Sequence, residues 1–204
     1  YLANGSEPWE VPNIEDLPEI KNKKIKSSND VFMPYKRDED TLSRPWAVPG
    51  VEGLEHRIGG LETEDLSGNV SYDPNNHEHM VHLRNKKIEA ILGTVPDIIP
   101  FGDESGDTLV IGWGSTYGAI RTAVEKARDE GKSVSHIQLR YINPLPKNLG
   151  DVLLKYKRII VPELNLGQLN SILRSKYLID SIALNKVQGK PITVGEIYDK
   201  IIEE

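Results

Sequence analysis

From Asp107 onward, short apolar runs alternate with amphipathic segments, and this alternation confines the C-terminal half of the chain to one class of fold. Thr108 to Trp113 has the length and apolar content of a strand. Ser115 to Asp129 follows, with Ile120, Val124 and Ala127 at helical spacing before Gly131. The same reading gives a strand over 134–141, a short helix over 149–156, a strand of β-branched residues over 158–162 and a helix over 166–176. A further strand at 181–184 and a closing helix over 194–202 complete the series. Strands separated by helices are joined by right-handed crossovers, so the predicted architecture is α/β: a three-layer, doubly wound, mostly parallel sheet with helices on both faces.

The first hundred residues have a different character. Pro8, Pro12, Pro18, Pro34, Pro45 and Pro49 interrupt every candidate element, each removing a backbone donor and biasing its predecessor toward extended structure. Residues 7–60 therefore read as a long irregular arm, a kind of segment that needs a surface to lie on. One helix interrupts it. Asp73 is an Asx cap, Pro74 suits the first helical position, and Met80, Leu83, Ile88, Ile91 and Leu92 form a rough apolar stripe, which predicts a helix over 74–92. The division expected is 1–100 for the arm and 101–204 for the α/β domain. The chain opens on Tyr1, and its first six residues read as a strand end entering a turn, so we expect a piece of a longer protein.

Charge narrows the functional classes. A net charge of -6 argues against a nucleic-acid or anionic-membrane surface, which needs clustered Lys and Arg in excess. The basic run from Lys21 to Lys26 is short and reads as a solvated linker. No stretch approaches a membrane span, so a soluble, cytoplasmic protein is expected. There is no cysteine, hence no thiol nucleophile and no thiolate ligand for an iron–sulfur cluster.

Four constellations stand out. Gly112, Gly114 and Ser115 lie where a strand end meets a helix start, a place where backbone N–H groups can hold an anion. The dinucleotide pattern is missed because the third glycine, Gly118, comes one residue late. Arg140, after the second strand, would suit a 2′-phosphate, which keeps a small NADP-binding module as the alternative function; the competing reading is a tight turn. His77, His79 and His82 are potential metal ligands, but H-E-x-x-H spacing is not met and surface histidines are the simpler account. Arg44, His56 and Arg57 lie in a glycine-flanked irregular stretch, where forked guanidinium donors can bind carboxylates or form ordinary ion pairs. Glu163, Asn165 and Gln168 occupy another strand end, with helix capping as the alternative to ligand contact. No serine elbow, P-loop or diphosphate signature is present, since Glu104 stands where Gly-Asp-Gly needs its second glycine. We therefore assign no catalytic and no metal-binding residue.

Several ordered stretches together resemble the alpha subunit of 2-oxoacid:ferredoxin oxidoreductase, of the 2-oxoglutarate type. They are Tyr1 to Trp9, Arg44 to Gly50, Gly53 to Glu62, Gly68 to Pro74 with His77, Gly112 to Ser115, Asn143 to Leu145, and Pro162 to Gln168. The resemblance implies an enzyme that oxidatively decarboxylates a 2-oxoacid with thiamine diphosphate, coenzyme A and ferredoxin. It implies that residues 101–204 are similar to the transketolase C-terminal domain, preceded by the end of a pyrimidine-binding domain and a connecting arm. The activating glutamate and the substrate loop would precede Tyr1. The magnesium–diphosphate site and the iron–sulfur cluster would belong to a beta subunit, so this chain alone would bind no cofactor and would not be active. Its implied partners are that beta subunit, the rest of the alpha subunit and, indirectly, ferredoxin.

Overall fold

The computed structural model describes residues 5–19, 23–25 and 31–203. Residues 1–4 of the strand end read at the N-terminus, and residues 21, 22 and 26 of the basic run, lie outside the described residues. The chain divides into two compact units, Val11–Gly93 and the remainder.

In Val11–Gly93 the prolines act as expected, and most of the backbone is irregular. The exception is a two-stranded parallel pair, β1 (Lys24–Ile25) and β2 (Trp46–Ala47), which the sequence reading missed because two residues carry no periodicity. Helix α1 (Pro74–Ala90) starts as its capping residues dictate: Asp73 accepts from the Asn75 amide at 2.8 Å, with Pro74 at the first position. A 3-10 turn, Ile91–Gly93, closes it. The apolar stripe does not become a buried face. Met80 is the only buried residue of α1, and Ile88 and Ile91 are exposed. Polar ties hold the helix instead, chiefly Asn76, which accepts from the Asp65 amide and donates to the Thr63 carbonyl, both at 3.0 Å.

The second unit is built on a four-stranded sheet of β3 (Gly106–Trp113), β4 (Val134–Leu139), β5 (Tyr156–Glu163) and β6 (Ser181–Asn185), in the order β4-β3-β5-β6 with every pair parallel. Helices cover both faces. Helices α2 (Tyr117–Asp129) and α5 (Val194–Ile202) pack Ile120, Ala123, Val124, Ala127, Ile197 and Ile201 onto Val110 and Ile160. On the other face α3 (Leu149–Leu153) and α4 (Gln168–Tyr177) bring Leu149, Val152, Leu169 and Leu173 onto Leu109, Ile111, Ile159 and Val161. The near-continuous apolar strands are those of a sheet buried on both sides. This is the three-layer, doubly wound parallel arrangement read from the sequence.

Several boundaries differ from the reading: the strand read to Tyr141 ends at Leu139, that read over 158–162 runs Tyr156–Glu163, and α2 begins at Tyr117 and not at Ser115. Two more have a clear cause. The helix predicted to run to Tyr156 ends at Leu153, because Tyr156 already pairs with Gly106 in the β3·β5 ladder and its hydroxyl donates to the Asp103 carbonyl at 2.6 Å. Helix α4 begins at Gln168 and not at Leu166, because the chain first turns through Gly167 at φ 90. Among the described residues no helix is long and apolar enough to cross a membrane.

Candidate functional site

The chain leaves β3 for β4 on one side and returns to β5 on the other, so the topological switch point lies between the C-terminal ends of β3 and β5. Open α/β sheets present their ligand crevice there. Here the two strand ends are joined by the chain's own side chains: the Trp113 indole N–H donates to Glu163 Oε1 at 3.3 Å. Glu163 is fully buried, and its carboxylate is ringed by donors. Oε1 accepts from the Leu169 amide at 2.9 Å and from Asn165 Nδ2 at 3.1 Å, and Oε2 accepts from the Asn170 amide at 3.0 Å. Asn165 Oδ1 in turn accepts from the amides of Gly167 and Gln168 at 2.7 and 2.9 Å. The free N–H groups at the start of α4, which elsewhere attract phosphate, are thus taken up internally by a carboxylate and an amide. Gln168 contributes its backbone, while its side chain faces solvent.

At the start of α2 the arrangement is also a structural turn. The Thr116 hydroxyl accepts from the Trp113 amide and donates to the Trp113 carbonyl, closing the 3-10 turn Gly114–Thr116 in which Ser115 sits. Gly112 leaves room for packing: a Cβ there would lie 2.6 Å from both Gln138 Oε1 and Ile120 Cδ1. Gly114 has φ 57, a conformation that glycine adopts without a Cβ penalty.

Arg140 does not face this turn as a phosphate ligand. Its Nε and Nη2 donate to the two oxygens of Glu7 at 2.8 and 3.0 Å, a bidentate pair whose negative partner would repel a phosphate. The dinucleotide reading therefore loses its cation as well as its third glycine. Beside this pair, a groove of about 400 Å³ runs along the outer strand β4 and is bordered by Tyr117, Arg121, His136 and Gln138. His136 is 2% exposed, and burial pushes its pKa down to about 4, against the smaller opposing effect of the Gln138 amide. Among the described residues His136 Nε2 and Gln138 Oε1 have no hydrogen-bond partner, and both atoms are buried from solvent.

In Val11–Gly93 the remaining candidates separate. Arg44 lays its guanidinium over the Tyr35 ring, 4.2 Å from the centroid. His56 Nδ1 lies 2.9 Å from the Leu54 carbonyl, and its ring meets Phe32 edge-on. Arg57 is exposed. The histidines of α1 do not converge: His77 pairs with Glu62 at 2.6 Å and His79 with Asp65 at 3.0 Å, while His82 lies 3.9 Å from Glu78. The hydrogen bond from His77 holds the Glu62 carboxyl below its usual range, and Arg84 adds to the effect. Among the described residues no cluster of three potential metal ligands exists. Asp103, of the near-miss diphosphate signature, is paired with Arg128 at 2.8 Å.

Sequence reasoning missed the Trp113–Glu163 and Glu7–Arg140 contacts, whose partners stand 50 and 133 positions apart, and the burial of His136. A polar residue inside an apolar strand, as at positions 136 and 163, was the one signal available for the buried groups.

Residues 106–197 match the family model for the pyruvate:ferredoxin oxidoreductase core domain II. The 2-oxoglutarate oxidoreductase subunit KorA of Mycobacterium tuberculosis is 50% identical over 198 residues, which is 96% of this chain and 30% of that protein. Subunit alpha of 2-oxoacid:ferredoxin oxidoreductase 1 from Aeropyrum pernix is 28% identical over 213 residues, all of this chain and 33% of that one. Among solved structures, 2-oxoglutarate:ferredoxin oxidoreductase from Magnetococcus marinus, with 2-oxoglutarate, coenzyme A and succinyl-CoA bound, superposes with a TM-score of 0.80 at 30% identity. That superposition covers 93% of this chain and 33% of the other. The chain thus spans about a third of the length of these relatives. Residues 106–197 thus carry the core domain II of the pyruvate:ferredoxin oxidoreductase family, and along nearly its whole length the chain is similar to alpha subunits of 2-oxoacid:ferredoxin oxidoreductases.

Proposed function

We propose that this chain is the structural and interface part of an alpha subunit that supports CoA-dependent oxidative decarboxylation of a 2-oxoacid, 2-oxoglutarate first, with electrons passed to ferredoxin. The observation that carries the reading is the 50% identity to a 2-oxoglutarate oxidoreductase subunit over 96% of the chain. The supporting one is chemical: the switch-point crevice, where this fold elsewhere holds a ligand, is occupied by Trp113 and Glu163.

The residues present do not fit the cofactors that such a reaction uses. An iron–sulfur cluster needs thiolates, and the chain has no cysteine. The Gly-Asp-Gly signature of a magnesium-bound diphosphate is broken at Glu104, and Asp103 is engaged by Arg128. Thiamine diphosphate, magnesium and the cluster are therefore assigned to the remainder of the complex, with a beta subunit as the partner. The arm would lie against neighbouring domains, with Arg57 and Arg44 offered to an acidic group of substrate, coenzyme A or the partner.

The test is ferredoxin reduction by the full-length alpha subunit co-expressed with its beta partner. Deleting Asp107 to Glu204 should abolish 2-oxoglutarate-dependent reduction and weaken co-purification of the beta subunit, whereas retained activity would overturn the proposal. Arg57→Ala should raise KM at least several-fold, consistent with loss of a charge-assisted bond worth about 1.5 to 3 kcal/mol.

A further inference from the structure

Two grooves in Val11–Gly93 adjoin at a pair of arginines, and their charge opposes that of the chain. The larger, about 620 Å³, and the smaller, about 280 Å³, are both bordered by Arg37 and Arg44. Lys23 and Lys36 add to the first, Arg84 and Lys87 to the second. Among the described residues only two carboxylates, Asp38 and Glu62, border these grooves, in a chain of net charge -6. Both are engaged: Asp38 accepts from the amide and hydroxyl of Thr41 at 2.9 and 3.0 Å, and Glu62 is held by His77 and Arg84. The basic excess is therefore only partly neutralised from within. Among the described residues no carboxylate pairs with Arg44, Lys36 or Lys87.

Two of the cations are also set in place before any ligand arrives. Arg37 is 13% exposed at its side chain, bonded to Asp65 at 2.6 Å and to the Tyr35 carbonyl at 3.2 Å. Arg44 holds its guanidinium over the Tyr35 ring, 4.2 Å from the centroid, and its side chain is exposed. Preorganised arginines with lysines around them suit a ligand with several anionic oxygens better than a single carboxylate. The apolar wall of the larger groove includes Trp46, 61% exposed, a flat face on which a ring can stack. The concave volume matches a small molecule and not a flat protein surface.

We propose that these adjoining grooves bind a ligand carrying two or more phosphate groups, held by Arg44, Lys36 and Lys87 and backed by Arg37 and Arg84. The proposal deepens the reading of Arg44 as a ligand residue but does not depend on the redox assignment. Its readout is binding, so its failure is separable from loss of ferredoxin reduction.

The experiment is calorimetric titration of the full chain with inorganic pyrophosphate and, separately, with ADP, at low and at moderate salt. Saturable binding should appear, weaken as salt rises, and fall at least tenfold in Arg44→Ala and in the Lys36→Ala/Lys87→Ala double variant. Lys132→Ala, on the α/β unit, should bind as the parent does. The double variant alters only exposed side chains, so a tenfold loss there with an unchanged melting temperature supports the site even if Arg44→Ala misfolds. Tighter binding of ADP than of pyrophosphate, lost in Trp46→Ala, would identify the source as a nucleotide; equal binding would identify the diphosphate alone. No heat at millimolar pyrophosphate and low salt would overturn the proposal, as would equal weakening by Lys132→Ala.

Discussion

The indole of Trp113 donates to the carboxylate of Glu163, fastening together the ends of two adjacent parallel strands at the point where the sheet changes direction. The same carboxylate closes the start of α4 through the Leu169 and Asn170 amides. One buried anion thus joins β3, β5 and α4.

Removing that anion should be costly. Glu163→Ala leaves the Leu169 and Asn170 amides buried without acceptors, at about 1 to 3 kcal/mol for each group left unsatisfied, and strips the half-buried Trp113 indole and Asn165 amide of theirs. The variant should therefore be destabilised by at least about 2 kcal/mol, read as a lower urea midpoint. Glu163→Gln keeps one acceptor oxygen and should lose less. If Glu163→Ala unfolded at the parent's midpoint, the bridging role would be wrong.

A side chain at Gly112 should be destabilising. A methyl group there meets the Gln138 amide and Ile120 at 2.6 Å, so Gly112→Ala forces a shift between α2 and the sheet, costing about 1 to 3 kcal/mol. At Gly114 the space is open and only the backbone conformation resists, so Gly114→Ala should cost about 1 kcal/mol. Thermal melts of the two variants would show whether crowding outweighs conformation in that order.

His136 should make stability fall in weak acid. Its folded pKa of about 4 lies below the ordinary 6.5, so between those values the unfolded chain binds the extra proton. The contribution is complete above about pH 6.5 and is lost as pH falls toward 4, with a slope of up to about 1.4 kcal/mol per pH unit. Urea titrations from pH 7 to 4.5 should show a shallower decline for His136→Gln than for the parent; parallel declines would refute the assignment.

The start of α5 should show its own acid limb. Thr193 and Glu196 form a reciprocal capping box, and Lys186, followed by the Thr193 amide and hydroxyl, lowers the Glu196 pKa to about 2. Because the folded pKa is depressed, the stabilisation is present above the unfolded value of about 4.5 and disappears as pH falls toward 2. The site is partly exposed and screened, so Thr193→Ala should cost about 1 kcal/mol at neutral pH. The cost of Glu196→Gln should shrink between pH 4.5 and 2.5 in chemical denaturation.

The order of elements from β3 to α5 could be read from the chain because it rests on local periodicity. Apolar runs of strand length, amphipathic helices and the right-handed crossover together leave one kind of sheet. The cap at Asp73 was legible for the same reason: its partner, Asn75, is two residues away. The ordered motifs likewise sufficed to indicate the family. What only the tertiary structure decided is which polar groups meet. Glu163 and Asn165 stood out as strand-end residues, but nothing near them in sequence says that the carboxylate accepts from Trp113. For Arg140 the sequence left a 2′-phosphate open as the alternative to a structural turn, and only the fold brings Glu7 beside it from the other end of the chain. The same limit applied to the cations of the arm, where Arg44 is local but its neighbours Arg84 and Lys87 come from a helix forty residues on. Periodicity is a property of neighbouring residues, whereas a site depends on side chains that the folded backbone brings together from distant positions.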